Sequence, residues 1–89
     1  MTAEELTAKL VGTEVPTVME KLGFSVEFVA KNVMSGAATV TVSQIAMLWQ
    51  GMPNKHDRKR TRRLLDALTD AGLLECVDAV AEVFRVIGG

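Results

Sequence analysis

The chain has little sulfur or imidazole chemistry. Among its 89 residues there is one cysteine, Cys76, and one histidine, His56. A single cysteine cannot form an internal disulfide, which fits a reducing compartment. The two residues stand twenty positions apart in the chain, and no other His or Cys exists to complete a ligand set. Zinc sites take several nitrogen and sulfur ligands, and a nucleophilic cysteine needs a base beside it. We therefore expect no metal and no enzymatic activity.

Long apolar runs and glycine-rich loops are also missing. No stretch approaches the roughly 20 apolar residues of a membrane span, so no membrane partner is expected. The opening stretch, MTAEELTAKL, is acidic where a secretory signal is basic, which predicts a cytoplasmic protein. Gly51 and Gly72 stand alone, so no phosphate-binding loop can be identified. We expect no cofactor and no small-molecule substrate.

Aromatic side chains are scarce, with three Phe, one Trp and no Tyr. Proteins that bind single-stranded nucleic acid stack bases on exposed rings, so the composition argues against RNA or single-stranded DNA. Trp49 lies in an apolar segment, and we expect it in the core rather than exposed as a stacking platform. Cys76 alternates with Leu74 in LLECV, and we expect it to be a small buried group.

What the chain does have is an ordinary globular composition, with 48% hydrophobic and 24% charged residues. That balance argues against disorder. The length suffices for one modest hydrophobic core. We predict a single domain over residues 1–89 that is mostly α-helical and of the α+β class.

Positive charge is concentrated in one place. The net charge is −1, yet six of the ten Lys and Arg lie in KHDRKRTRR, residues 55–63. The rest of the chain has four basic and ten acidic residues. Electrostatic recognition is local, so this stretch says more about a partner than the net charge does.

Residues 1–36 predict short helices, the first over about residues 3–11. Helix starts are marked by side chains that can accept from free backbone N–H groups, and stops by glycine. The predicted caps are Thr2, Thr17 and Ser25, and the predicted stops are Gly12 and Gly23. The third helix is broken by SGAA, residues 35–38.

The N-terminal helices are rich in apolar side chains, which are Val18, Met19, Leu22, Phe24, Phe28 and Val29. Two interpretations stay open at this point. The side chains form a homodimer surface, or they complete the core of the domain.

The middle of the chain predicts a strand followed by a helix. TVTV, residues 39–42, is β-branched throughout and alternates Thr with Val, as suits a short half-buried strand. Ser43 is a suitable cap for a helix over residues 43–50. That helix is apolar on more than one side, so we expect it to be largely buried. Residues 51–57 contain glycine, proline and asparagine and form a turn.

The strongest helix pattern covers residues 57–71, with Asp57 as its cap and Gly72 as its stop. Its apolar positions repeat at three and four residues and predict one buried stripe. That stripe comprises Thr61, Leu64, Leu65 and Leu68. After it, LLECV and EVFRVI predict two strands, although Val77, Val80, Ala81, Phe84 and Ile87 also fit helical spacing.

Residues 39–87 resemble the winged helix-turn-helix superfamily. The most specific segment is RRLLDALTDAGLLE, in which apolar pairs are followed by glycine and by two apolar residues that open the wing. FRV is similar to the returning wing strand. The resemblance implies a core over residues 39–87 with a short two-stranded C-terminal wing, and residues 1–36 add extra N-terminal helices.

The resemblance implies DNA binding, with helix 57–71 in the major groove and helix 43–50 as its support. The residues expected to contact DNA are Lys55, His56, Arg58, Lys59, Arg60, Arg62, Arg63 and Arg85. The tip of the wing, DAVAE, departs from the family because it has no Lys or Arg and brings Asp78 and Glu82. A minor-groove contact by the wing is therefore not expected.

The basic residues oppose local helix stability. Arg58 and Arg62 form one row and Lys59 and Arg63 another, because residues four apart share a face. Like charges repel, and the N-terminal half of a helix prefers acids. A locally unfavourable choice is typical of a functional site.

We therefore expect a double-stranded-DNA-binding protein, a small transcriptional regulator or a phage- or plasmid-type DNA-handling factor that works as a homodimer. The alternative is a winged-helix module for protein–protein contact, whose basic helix docks on an acidic partner.

Overall fold

The structure is a computed structural model that describes residues 1–34 and 38–87. The predicted break SGAA falls mostly outside these ranges. The described residues form five helices and three strands: α1 (Ala3–Leu10), α2 (Val15–Leu22), α3 (Val26–Asn32), β1 (Thr39–Thr41), α4 (Val42–Gln50), α5 (Lys55–Asp70), β2 (Leu74–Asp78) and β3 (Val83–Val86). The α+β class is confirmed, and the winged helix-turn-helix assignment stays a prediction.

Two of the three predicted N-terminal caps are confirmed. Thr2 Oγ1 accepts a hydrogen bond from the Glu5 N–H, and Ser25 Oγ accepts one from the Phe28 N–H, each at 3.1 Å. The prediction of Thr17 as a cap is wrong because α2 already begins at Val15. Proline favours the first turn of a helix, and here Pro16 occupies it, which draws the helix start ahead of Thr17.

The N-terminal helices share one core with the rest of the chain. Of the six apolar residues considered for a dimer surface, four are buried, while Val18 and Phe28 are half-buried against the core. They lie in one cluster with the buried stripe of α5 and with Phe84 of β3. These side chains therefore complete the core of the domain. The homodimer stays a prediction, but most of the side chains expected to form its interface are buried in the core.

Helix α4 begins one residue earlier than expected. Its cap is Thr41 rather than Ser43, since Thr41 Oγ1 accepts from the Gln44 N–H and the Gln44 side chain accepts from the Thr41 N–H. The helix is not largely buried. Met47 and Leu48 are 59% and 58% exposed, because α4 packs with one side against α5 and β1 and nothing in the described chain covers the other side.

Helix α5 begins at Lys55, two residues before the expected start. Asn54, not Asp57, is the cap: Asn54 Oδ1 accepts from the Asp57 N–H at 2.9 Å, and Asp57 Oδ2 accepts from the Asn54 N–H at 3.0 Å. Both residue types favour caps, and this reciprocal pair puts Asp57 at the third helical position. As a result Lys55 and His56 belong to the first helical turn rather than to the preceding loop.

The three strands form an antiparallel sheet in the order β1-β3-β2. Phe84 lies opposite both Val40 and Cys76, and Leu74 lies opposite Val86. The strands β2 and β3 confirm the expected pair and exclude the helical alternative for this segment. The inner face of the sheet contributes Val40, Leu74 and Phe84 to the core.

The β2–β3 hairpin projects beyond the core. Only Leu74, the first of the five residues of β2, is buried, so the expectation of a buried Cys76 is wrong. At the tip, Asp78 Oδ1 accepts from the N–H groups of Val80 and Ala81, each at 3.0 Å. Glu82 follows with a left-handed φ of +58°, a conformation that non-glycine residues seldom adopt.

Candidate nucleic-acid interface

The inner face of α5 anchors the helix in the protein. The stripe of Thr61, Leu64, Leu65 and Leu68 is fully buried, as expected. It faces α2, α4 and β2, against which α5 packs. Because three elements hold this one side, the opposite side of the first two and a half turns is presented to solvent on a rigid support.

Four cations on that opposite side have no partner in the described part of the chain. Lys55, Arg58, Lys59 and Arg63 are exposed, and within the described ranges none of them makes a hydrogen bond or ion pair. We call these four residues the basic face. His56, also exposed, lies beside them in the first turn. The structure thus brings together five of the eight residues that the sequence predicts to contact DNA.

Arg60 is exposed as well, but the fold engages its guanidinium. Its Nη2 donates a hydrogen bond to the carbonyl oxygen of Leu22 at the end of α2. Its guanidinium also lies over the Trp49 ring, with Cζ 5.1 Å from the centroid. Gly23, with φ +83°, lets the arginine approach, since a Cβ there would lie 3.2 Å from Arg60 Nη2. Arg60 therefore joins α2, α4 and α5.

Trp49 is part of the same joint. Its ring meets Phe24 edge-on at 5.3 Å between centroids, and its Nε1 donates to Thr61 Oγ1 at 3.0 Å. It is half-buried and packed against the core, which agrees with the expectation that it is not a stacking platform.

Arg62 joins α5 to the hairpin. Its Nε donates to both carboxylate oxygens of Asp66, at 3.0 and 3.2 Å, and its Nη1 lies 3.3 Å from Glu82 Oε2 and 3.2 Å from the Ala79 carbonyl oxygen. The guanidinium also lies over the Phe84 ring. The hydrogen bond to Asp66 raises the pKa of Arg62 above its ordinary value, burial opposes this, and Glu82 adds to it.

Arg85 lies apart from the other predicted contacts. It is on the outer face of the sheet, where it forms an ion pair with Glu75 on the neighbouring strand. Its positive charge is therefore locally compensated, unlike those of the basic face.

A shallow groove runs between α5 and the hairpin. It is lined by Lys55, Arg58, Lys59, Arg62, Arg63 and Glu82. The carboxylate of Glu82 is already paired with Arg62. The net charge of the lining is therefore strongly positive, as expected for a surface that attracts anions.

The charges of α5 run against its helix dipole at both ends. Cations occupy the first half, and only Asp57 in the first turn is acidic. The exposed acids Asp66 and Asp70 stand in the second half, and the last turn has no basic residue. The dipole favours acids at the start and bases at the end. The basic face is thus placed where it costs helix stability.

Other kinds of site find little support in the described ranges. No group of three or more His, Cys, Asp and Glu side chains is placed there to hold a metal ion. None of the helices described has the length and apolar character needed to cross a membrane.

The sequence offers only part of the evidence that separates the free cations from the engaged ones. Arg62 and Asp66 stand four residues apart, the spacing of a helical ion pair. By contrast, the contact of Arg60 with Leu22 joins residues 38 positions apart, and no local sequence pattern predicts it.

Comparison with protein-family models, with curated proteins and with solved structures finds no match to this chain.

Proposed function

We propose that this protein binds double-stranded DNA by placing the first half of α5 in the major groove. The observation that supports this most directly is the basic face itself. It gathers four cations, without partners among the described residues, on one rigid helix of a net-acidic chain, in positions that weaken the helix. Duplex DNA has about one negative charge per 1.7 Å of axis and releases counterions when cations neutralise its phosphates.

The width of an α-helix such as α5 fits the major groove. The major groove is about 12 Å wide and admits an α-helix, and recognition helices of helix-turn-helix proteins contact bases with their N-terminal residues. The short turn between α4 and α5, residues 51–54, is consistent with such a motif. In this role the protein is a small transcriptional regulator or a DNA-handling factor that acts by binding.

The experiment is fluorescence anisotropy of a labelled random-sequence duplex at low salt. We expect the wild type to bind with a dissociation constant in the micromolar range, as is typical of charge-driven binding. The double variant Arg58→Ala/Arg63→Ala removes two charges from the basic face and should bind at least about tenfold more weakly.

The matched control is Lys21→Ala/Arg85→Ala, which removes the same charge from other surfaces. It should bind like the wild type. Equal weakening by both double variants would mean that net charge alone determines binding, and that the basic face is not the DNA-contacting surface. Absence of wild-type binding at low salt would exclude the proposal.

One observation favours a second function, contact with an acidic protein. Met47, Leu48 and Met52 are exposed large apolar residues on α4 and in the turn that leads into α5. A partner with apolar and acidic groups could contact them together with Lys55. Competition separates the two functions, because an excess of random duplex DNA displaces such a partner only if DNA binds the same surface.

A further inference from the structure

The side chains of α5 are sorted around the helix axis. Lys59 and Leu68 are nine residues apart, about 2.5 turns at 3.6 residues per turn, so Lys59 points directly away from the buried stripe. Lys55 and Arg63 are each four residues from Lys59 and lie about 40° to either side of it, whereas Arg58 lies about 100° away. Lys59 therefore marks the central line of the basic face, Lys55 and Arg63 lie close to it on either side, and Arg58 lies at the edge.

This arrangement assigns different targets in a groove. The centre of a helix in the major groove faces the base edges, and its flanks face the two sugar–phosphate strands. Arg58, at the edge of the basic face, is thus placed to bind a phosphate. Lys59, with Lys55 one turn before it and Arg63 one turn after it, is placed to reach the bases.

The chemistry at the centre is limited. Asn and Gln are the side chains that read adenine, and apolar groups read the thymine methyl. From Lys55 to Asp66 the exposed residues include no Asn, Gln, Thr or Ala. Thr61 is buried, with its hydroxyl bonded to Trp49 and to the Asp57 carbonyl oxygen. Asp66 shares the central line but already accepts two hydrogen bonds from Arg62.

The hairpin adds no contact that distinguishes one base pair from another. Its tip presents Val80, which is 95% exposed, and has no cation to enter a minor groove. Arg85, the cation of the hairpin strands, is paired with Glu75.

We propose that α5 binds duplex DNA with little sequence preference, and that the preference it has is for guanine in the major groove, set by Lys59 as the residue that contacts the base. Lysine donates to guanine O6 and N7. The inference rests on the proposed DNA binding. It makes the protein a binder of duplex shape and charge rather than a reader of one operator sequence.

The test compares three labelled duplexes of equal length: one with guanines throughout, the same duplex with 7-deazaguanine, and one of alternating A·T pairs. 7-Deazaguanine pairs normally and has the same charge but lacks the N7 acceptor. We expect the wild type to bind the guanine duplex about five- to tenfold more tightly than the deaza duplex, the lower range for one base contact, and to bind the A·T duplex like the deaza duplex.

Two single variants make the test specific to Lys59. Lys59→Ala should lower affinity for all three duplexes and bring the guanine-to-deaza ratio to about one. Arg58→Ala should also lower all three affinities but leave the ratio unchanged, because a phosphate contact carries no sequence information.

Three results would overturn the inference while leaving DNA binding intact. They are an unchanged ratio in Lys59→Ala, a guanine-to-deaza ratio of about one in the wild type, and selection from a random pool of a sequence bound more than about a thousandfold tighter than bulk DNA, the usual mark of a specific binder. Failure of all three duplexes to bind would overturn the proposed function and the inference with it.

Discussion

The neighbouring residues Arg62 and Arg63 of α5 differ in their contacts. Arg62 has 30% of its side chain exposed and contacts two carboxylates, a carbonyl oxygen and a phenyl ring, whereas Arg63 is exposed without a partner in the described chain. Partly exposed ion pairs contribute at most about 1 kcal/mol each, and a cation–π contact contributes about 0.5–1 kcal/mol. Substitution of Arg62 should therefore affect mainly stability, and substitution of Arg63 mainly DNA binding.

We expect Arg62→Ala to lower the free energy of unfolding by about 1–2 kcal/mol. Arg63→Ala should change it by less than about 0.5 kcal/mol, as is usual for surface substitutions. Urea denaturation followed by circular dichroism measures both. Equal effects of the two substitutions would mean that the contacts of Arg62 do not stabilise the fold.

The hydroxyl of Thr61 supports the joint between α4 and α5. It accepts from Trp49 Nε1 at 3.0 Å and donates to the Asp57 carbonyl oxygen at 2.9 Å. Thr61→Val keeps the shape but leaves the indole N–H without its acceptor, and we expect a loss of about 1–3 kcal/mol. Thr69→Val is the control, since Thr69 makes the same bond to the residue four positions earlier, Leu65, but accepts none from a side chain.

Trp49 is the only tryptophan, so its fluorescence reports directly on this joint. Thr61→Val should shift the emission and lower the urea midpoint, while Thr69→Val should do neither to a comparable degree. Identical behaviour of the two variants would remove the hydrogen bond to Trp49 from the account.

At the scale of the element, α5 combines an unfavourable charge order with a strong cap. The reciprocal bonds of Asn54 and Asp57 satisfy backbone N–H groups at its start and place one acid near the positive end of the dipole. The cations that follow oppose this. A substitution that repairs the charge order should therefore raise stability and harm DNA binding at the same time.

Lys55→Glu is that substitution, at the first helical position. We expect it to increase the free energy of unfolding by about 0.3–1 kcal/mol and to weaken binding of duplex DNA by more than Lys55→Ala does. The control is Lys21→Glu in the last turn of α2, where the dipole favours a cation. That change should lower stability and leave DNA binding unaltered. A drop in stability for Lys55→Glu would contradict the dipole argument.

Local patterns predicted the elements better than their boundaries. The buried stripe of α5 and the strands of the hairpin followed from period and β-branched content. The starts of α4 and α5 were misplaced by one and two residues, because Thr41 and Ser43, or Asn54 and Asp57, are competing caps of similar propensity. The reciprocal side-chain bonds that decide between them depend on geometry that the sequence does not state.

At the scale of the whole molecule, positive charge is gathered on one side of a net-acidic domain. The sequence was sufficient to find the basic stretch, and the buried stripe indicated which residues face outward. It could not separate the basic face from Arg60 and Arg62, whose partners Leu22 and Glu82 lie far away in the chain. Nor could it tell that the apolar N-terminal side chains complete the core, because pairing between distant elements decides that.

The measurement that tests the central claim most directly is the salt dependence of binding to random duplex DNA. The logarithm of the binding constant falls with the logarithm of salt concentration by about 0.9 per neutralised phosphate. Four contacts from the basic face predict a slope between about −3 and −4. Arg58→Ala/Arg63→Ala should reduce it to about −2, and Lys21→Ala/Arg85→Ala should retain the wild-type slope. A slope near zero, or the same slope in both double variants, would contradict the account.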